Sequence, residues 1–216
     1  MDIHFSCRST RQTIDPNENE PIDRYNTGMD PAIFLDRDGV IIKNRNSYVR
    51  DWAHVCFYKR SLDAILKLSS TSYKIVLVTN QSAVGRGLIS ISTADEINRR
   101  IVDQIKKSGG RIDGVFMCPH QPDDMCFCRK PQPGLLFEAA KALSIDLKRS
   151  ILIGDAISDI QAGQNAGIER TILVLTGRGR MQLTQPAVRN LQPFDVFQSL
   201  SHAVNHRSLW LPKDGP

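Results

Sequence analysis

Ala32-Ile33-Phe34-Leu35-Asp36-Arg37-Asp38-Gly39 is the stretch whose reading decides the fold. Four consecutive apolar residues match a strand buried on both faces, and they end abruptly on two carboxylates spaced one residue apart. Similar apolar runs recur at Lys74 to Val78, Ile112 to Met117, Ser150 to Ile153 and Thr171 to Leu175. Helical patterns lie between them. Leu62, Ile65, Leu66 and Ser69 fall at helical spacing, and Ile97, Ile101 and Ile105 repeat every four residues behind a Thr93-x-x-Glu96 capping box. Pro133 and Gly134 open a third helix, and a fourth runs from near Ser158 to about Gly167. Strands alternating with helices imply right-handed crossovers and a parallel sheet covered on both sides, which predicts a Rossmann-like, three-layer, doubly wound α/β fold.

In such a sheet, ligands bind beyond the carboxyl ends of the strands. The first strand ends in Asp36-Arg37-Asp38-Gly39, the second in Thr79-Asn80-Gln81-Ser82 and the fourth in Gly154-Asp155-Ala156-Ile157-Ser158-Asp159, while Arg129-Lys130-Pro131 precedes the helix leading into that fourth strand. Carboxylates gathered at one crevice repel one another unless a cation intervenes, and Mg²⁺ suits oxygen ligands completed by water and phosphate. With the metal and Lys130 screening its charge, Asp36 can attack phosphorus and form an aspartyl-phosphate. Asp38, two residues further along an extended segment, points to the same side and can shuttle the protons of the leaving alcohol and of water. Thr79, Asn80 and backbone N–H groups would hold the phosphoryl oxygens.

Asp36-x-Asp38, Thr79, Lys130 and Gly154-Asp155-x-x-x-Asp159 together resemble the four motifs of the haloacid dehalogenase (HAD) superfamily of phosphatases, over residues 33 to 175. The resemblance implies Asp36 as nucleophile, Asp38 as general acid and base, and Thr79 and Lys130 as phosphate-binding residues. It also implies Mg²⁺ held by Asp36, the Asp38 backbone carbonyl and Asp155, with Asp159 supporting these from behind. The 43 positions from Asp36 to Thr79 are filled by a loop and one helix. No later insertion is long enough for a cap domain, so the site is expected to be open.

Three of the five cysteines fall within the eleven residues from Cys118 to Cys128. Cys118, His120, Cys126 and Cys128 form a three-thiolate, one-imidazole set that suits tetrahedral Zn²⁺ with no open position, hence a structural zinc-bound loop. A closed site there would clamp a Pro-rich loop and fix Arg129 and Lys130, which follow directly. The one-residue spacing within each ligand pair departs from common zinc fingers. The same Cys-Pro-His…Cys-x-Cys-Arg-Lys-Pro segment resembles the branch containing D-glycero-D-manno-heptose 1,7-bisphosphate 7-phosphatases and histidinol-phosphate phosphatases. Asn80-Gln81-Ser82 with Gly85-Arg86-Gly87, Pro131-x-Pro133-Gly134 and Leu175-Thr176-Gly177-Arg178-Gly179 lean toward the heptose side, whereas the five-residue gap between His120 and Cys126 is shared with the histidinol side. Carried over, Arg129 and Asn80, Gln81 and Ser82 would bind substrate.

Composition agrees with an ordinary globular chain: 216 residues, 41% hydrophobic and 24% charged, with an odd, uneven set of cysteines that does not suit a secreted disulfide framework. No apolar stretch reaches the roughly 18 residues of a membrane span, and the N-terminus lacks a signal-type apolar region, so a cytoplasmic protein is expected. Residues 1–30 are polar and aperiodic, which predicts a flexible N-terminal tail before a domain over 31–198 and a frayed C-terminal tail over 199–216. The net charge of +5 divides into −3 for residues 1–30, +7 for 31–198 and +1 for 199–216. Arg37, Arg86, Arg129, Lys130, Arg178 and Arg180 sit beside the motifs, which points to a small phosphorylated substrate, a sugar by the resemblance; a monomer is expected. A nucleic-acid-binding zinc protein or a DNA 3′-phosphatase is the competing class. The 6% aromatic content and the lack of a dense basic run oppose a stacking platform for nucleic acid.

Overall fold

A computed structural model describes residues 4–6 and 28–206. In chain order the strands are β1 (His4–Ser6), β2 (Ala32–Leu35), β3 (Lys74–Asn80), β4 (Gly114–Cys118), β5 (Ile151–Gly154), β6 (Arg170–Val174) and β7 (Asp195–Phe197). The helices are α1 (Ser61–Ser69), α2 (Ser82–Gly85), α3 (Ile91–Lys107), α4 (Gly134–Leu143), α5 (Ile157–Asn165), α6 (Gly179–Leu183) and α7 (Leu200–Asn205). All strand pairs are parallel, in the order β1-β4-β3-β2-β5-β6-β7. The chain winds outward from β2 in one direction and from β5 in the other, so the topological switch point lies between these two central strands.

The two faces of the sheet separate by residue parity. Ile33, Leu35, Ile75 and Leu77 pack with Ile65 and Leu68 of α1, Ile97 and Ile101 of α3 and Leu200 of α7, while Phe34, Val76 and Val78 pack with Leu135 and Leu136 of α4 and Ala162 of α5. Period-two alternation along each strand thus feeds two separate apolar layers, which explains why β2 reads as a continuous apolar run. The expected doubly wound α/β fold is present. Among the described residues, every strand lies in this one sheet. The longest excursion, from Asp36 to α1, holds one turn of 3₁₀ helix at Trp52–His54 and isolated bridges of Ile42 to Asp38 and Phe57, with no second folded unit.

Local details differ from the sequence expectations in three places. Helix α3 starts earlier than the Thr93 box suggested, because Ser90 is its N-cap and accepts from the Thr93 N–H at 3.0 Å. Of the expected tail over residues 1–30, His4–Ser6 forms β1, paired in register with Val115–Met117, and most of the remainder lies outside the described residues. The expected C-terminal tail from 199 instead begins with a capped helix. The Ser199 hydroxyl accepts from the His202 N–H, and Leu200, Ala203 and Val204 bury their apolar side chains in the α1 layer. Residues 207–216 lie outside the described residues.

Candidate active site

Asp36 follows the last residue of β2 and Asp155 the last residue of β5, so the two carboxylates stand side by side at the switch point. Asp159, in the first turn of α5, completes a cluster in which one oxygen from each carboxylate lies within 4.8 Å of the others. Its Oδ2 accepts from the Ala156 N–H at 3.0 Å, tying the start of α5 to the site. Lys130 enters from the loop after β4. Its buried ammonium donates to Asp36 Oδ1 at 2.6 Å and to the Val78 carbonyl at 2.9 Å, and it pairs with Asp159 Oδ1 at 2.6 Å. All three ammonium protons therefore have partners.

The charges do not balance. Burial, against the pull of Lys130 and reinforced by Asp159, Asp155 and Asp38, pushes the Asp36 carboxyl up to about 7. Asp155 is also raised, by burial and then by Asp159, against Arg178. Burial alone would depress Lys130, but Asp159 and Asp36 outweigh it and hold the ammonium above its ordinary range. Three buried carboxylates face one buried ammonium and the half-exposed Arg178, whose NH2 lies 3.4 Å from Asp155 Oδ1. A hard dication is the natural complement of such an oxygen-rich surplus. Asn44 strengthens the fit. Its Nδ2 donates to Asp155 Oδ2 at 3.0 Å, whereas its buried Oδ1 has no hydrogen-bond partner and remains an acceptor for a metal-bound water or a ligand.

Close packing fixes Asp155 from the other side. The Arg178 N–H donates to Asp155 Oδ2 at 2.8 Å, and a Cβ at Gly39 or Gly177, both with positive φ, would collide with that same oxygen. Thr176 Oγ1 donates to the Gly39 carbonyl at 2.6 Å and the Gly177 N–H donates to the Tyr58 hydroxyl at 2.9 Å. The loop after β6 is thereby fastened to the Asp38-Gly39 turn.

The remaining sequence-predicted residues border a cavity of about 620 Å³, within the usual range for small-molecule sites. Asp38, Asn80, Gln81, Ser82, Arg129 and Lys130 line it, together with Arg45, Arg86 and Arg178. Several of them also bond to one another. The Asn80 amide grips the Lys130 peptide, donating to its carbonyl at 3.0 Å and accepting from its N–H at 3.1 Å. Arg129 NH1 donates to Ser82 Oγ at 2.8 Å and to the His120 carbonyl at 3.0 Å. Thr79 is buried behind this wall, its hydroxyl accepting from Gln81 Nε2 at 2.9 Å. Sequence reasoning missed Asn44 and Tyr58, which lie in a loop without a motif, and Asn98, which lies beside Ile97 in α3 and belongs to no motif.

Cys118, at the end of β4, lies with His120, Cys126 and Cys128 in a second cluster. Their ligand atoms approach at 3.4–3.6 Å, with Cys118, Cys126 and Cys128 all free of disulfides. Zn–S bonds of about 2.3 Å in a tetrahedron place ligand atoms roughly 3.7 Å apart, so the donor set and its spacing fit zinc. A hydrogen bond with Cys128, against burial and aided by His120, lowers the Cys118 thiol to about 5, as a metal-binding thiolate needs.

Comparison with known proteins decides the family. A D-glycero-beta-D-manno-heptose-1,7-bisphosphate 7-phosphatase from Bordetella bronchiseptica is 39% identical over 153 residues, covering 71% of this chain and 85% of that protein. The chain belongs to the HAD-like hydrolases, in the heptose-bisphosphate phosphatase family. A HAD-hydrolase-like family model matches residues 127–203. A Photorhabdus laumondii relative, named for the alpha anomer, is 37% identical over 170 residues, covering 76% of this chain and 92% of its own. The crystal structure of the B. bronchiseptica D,D-heptose 1,7-bisphosphate phosphatase, complexed with magnesium and phosphate, superposes with a TM-score of 0.75 at 36% identity, covering 81% of this chain and 96% of that one. The HAD-like phosphatases are phosphoric monoester hydrolases, and so is this chain.

Proposed function

We propose that the chain removes the C7 phosphate from D-glycero-D-manno-heptose 1,7-bisphosphate through an aspartyl-phosphate on Asp36. The observation that carries this reading is the buried Asp36 carboxylate, paired with Lys130 at 2.6 Å, beside a cavity bordered by Asp38 and several arginines. Asp36 attacks phosphorus as the bond from phosphorus to the substrate's C7 oxygen breaks, and protonated Asp38 gives its proton to that departing oxygen. Asp38, now a carboxylate, takes a proton from water as the water oxygen attacks the phosphoryl group. The Asp36–phosphorus bond breaks, releasing inorganic phosphate and restoring both residues.

Lys130 holds Asp36 in place and, with Thr79 and Asn80, offers cationic and polar groups to the phosphoryl oxygens. Asp36, Asp155 and the Asp38 carbonyl would hold Mg²⁺, which supplies charge neutralisation between the carboxylates and the phosphoryl oxygens when bound. Asp159 keeps Lys130 charged and aimed. Cys118, His120, Cys126 and Cys128 would hold zinc, and through Arg129 and its bonds to Ser82 and His120 that loop shapes the substrate wall.

The cavity arginines suit a second phosphate on the sugar, and the heptose names of the relatives favour this substrate over histidinol phosphate or a DNA 3′-phosphate. Among the described residues, no helix is long and apolar enough to cross a membrane. Among the described residues the cysteines carry no disulfide, which agrees with a reducing, cytoplasmic setting, and the enzyme is read as a monomer. A phosphate-release assay across both anomers of heptose 1,7-bisphosphate, histidinol phosphate and a 3′-phosphorylated oligonucleotide tests the proposal. Heptose bisphosphate is expected to show the highest kcat/KM. A higher value for either alternative would overturn the substrate assignment.

A further inference from the structure

The mechanism uses Asp38 but leaves unexplained the residue beside it. Arg37 is among the largest fully buried side chains of the described residues, an expensive location for a guanidinium that an apolar side chain of similar volume could fill. The carboxylate it pairs with is Asp38. Nε and NH2 of Arg37 both reach Asp38 Oδ2, at 3.0 and 2.8 Å. NH2 also donates to Gln81 Oε1 at 2.9 Å, and NH1 donates to Asn98 Oδ1 at 2.8 Å. Gln81 Nε2 returns to the same Asp38 Oδ2 at 3.0 Å. Asn98 is itself buried on α3, where its Nδ2 contacts Met117 Sδ at 3.5 Å.

One oxygen of Asp38 therefore receives three N–H groups from a buried frame, while the residue still borders the cavity. We infer that Arg37 is a positioning residue for Asp38: its planar fork, braced by Gln81 and Asn98, holds Oδ2 so that Oδ1 meets the reacting oxygen in both proton transfers. This rests on the reading of Asp38 as general acid and base. A lysine keeps the charge but cannot reproduce the fork, so Arg37→Lys separates orientation from charge. Proton transfer is sensitive to such alignment. An aryl phosphate supplies the discriminating probe, because nitrophenolate leaves without needing a proton from Asp38, whereas a sugar alkoxide needs one.

The test compares Arg37→Lys, Asn98→Ala and Asp38→Asn on heptose 1,7-bisphosphate and on p-nitrophenyl phosphate, with circular dichroism and melting curves to establish folding. For Arg37→Lys, kcat on the sugar substrate is expected to fall ~10–100-fold with KM changed less than about twofold. Rapid-mixing measurements should show first-turnover nitrophenolate release near the wild-type rate, followed by accumulation of phosphoenzyme, since its hydrolysis still needs Asp38 as base. Asn98→Ala, remote from the cavity wall, should reproduce the pattern at about threefold to tenfold. Wild-type kcat in both variants would overturn the inference, as would a first-turnover aryl rate that falls in step with the sugar rate. If Asp38→Asn keeps full turnover of the sugar substrate, the acid–base reading itself fails. If Asp38→Asn is inactive while Arg37→Lys is not, the Arg37 inference alone fails.

Discussion

The carboxylate cluster at the ends of β2 and β5 and the thiol–imidazole cluster after β4 both gather ionisable groups, but they are built in opposite ways. The carboxylates come from positions 36, 155 and 159, sit on buried strand and helix ends, and are partly neutralised by the chain's own Lys130. The thiol cluster comes from a single segment of eleven residues, anchored in the α4-side apolar layer by the buried Cys118 and Cys128 but running through the exposed side chains of Met125 and Phe127 between them. The first cluster is held in place by the fold; the second, once it binds a metal, would hold a piece of the fold in place. Changes in the first should therefore cost chemistry or global stability, and changes in the second should cost local order and substrate affinity.

The largest effect is expected at Asp36. Asp36→Asn removes the attacking carboxylate while keeping shape and hydrogen-bonding capacity, so kcat should fall by at least about 10³-fold with an unchanged melting curve. Residual turnover near wild type in steady-state assays would refute the covalent route. Next comes Lys130→Met, which leaves Asp36 and Asp159 without their buried cation. Breaking such a pair from one side should cost about 3–5 kcal/mol in urea denaturation, alongside loss of turnover. Adding Asp159→Asn should recover part of the stability but not the activity. If the single variant is as stable as wild type, the view of this cluster as a charge-matched part of the core is wrong.

How much of each region was legible in the sequence follows from the same contrast. The thiol cluster is local, so its spacing alone exposes it. The carboxylate cluster is distant in sequence, yet Asp36 and Asp155 each follow a four-residue apolar run, and parallel-sheet topology brings such strand ends together. What escaped the sequence were groups without a periodic or motif signal. Asn44 and Tyr58 reach Asp155 and Gly177 from an irregular loop, and their roles depend on how that loop folds back. Asn98, beside Ile97 in α3, belongs to no motif and is a buried partner of Arg37. Helix α7 was missed because six residues carry too little periodicity; its burial against α1 decides the matter.

A smaller effect is expected at the second cluster. Cys126→Ser should lower the zinc content of the purified chain, measured by elemental analysis, and raise KM by about tenfold as Arg129 loses its fixed position. Its effect on kcat should be the lesser one, because Asp36 and Asp38 sit on other elements. A variant with no zinc and a wild-type KM would show that the loop keeps its shape unaided, which would erase the distinction between the two regions.

The finest test concerns the bond that joins them. Arg129 follows the thiol cluster in sequence, and its guanidinium reaches Ser82 at the start of α2 across the cavity wall. Ser82→Ala deletes that acceptor while the His120 carbonyl continues to receive the same nitrogen at 3.0 Å, so Arg129 is loosened rather than released. A hydrogen bond of this kind, with one alternative partner remaining, is worth about 0.5–1 kcal/mol, which corresponds to a rise in KM of roughly twofold to fivefold. In the Cys126→Ser background the same change should add little, because Arg129 is no longer placed to use the hydroxyl. A double-mutant cycle in KM measures this directly: strong non-additivity ties Ser82 to the thiol loop, whereas independent effects mean that the substrate wall is set by α2 alone.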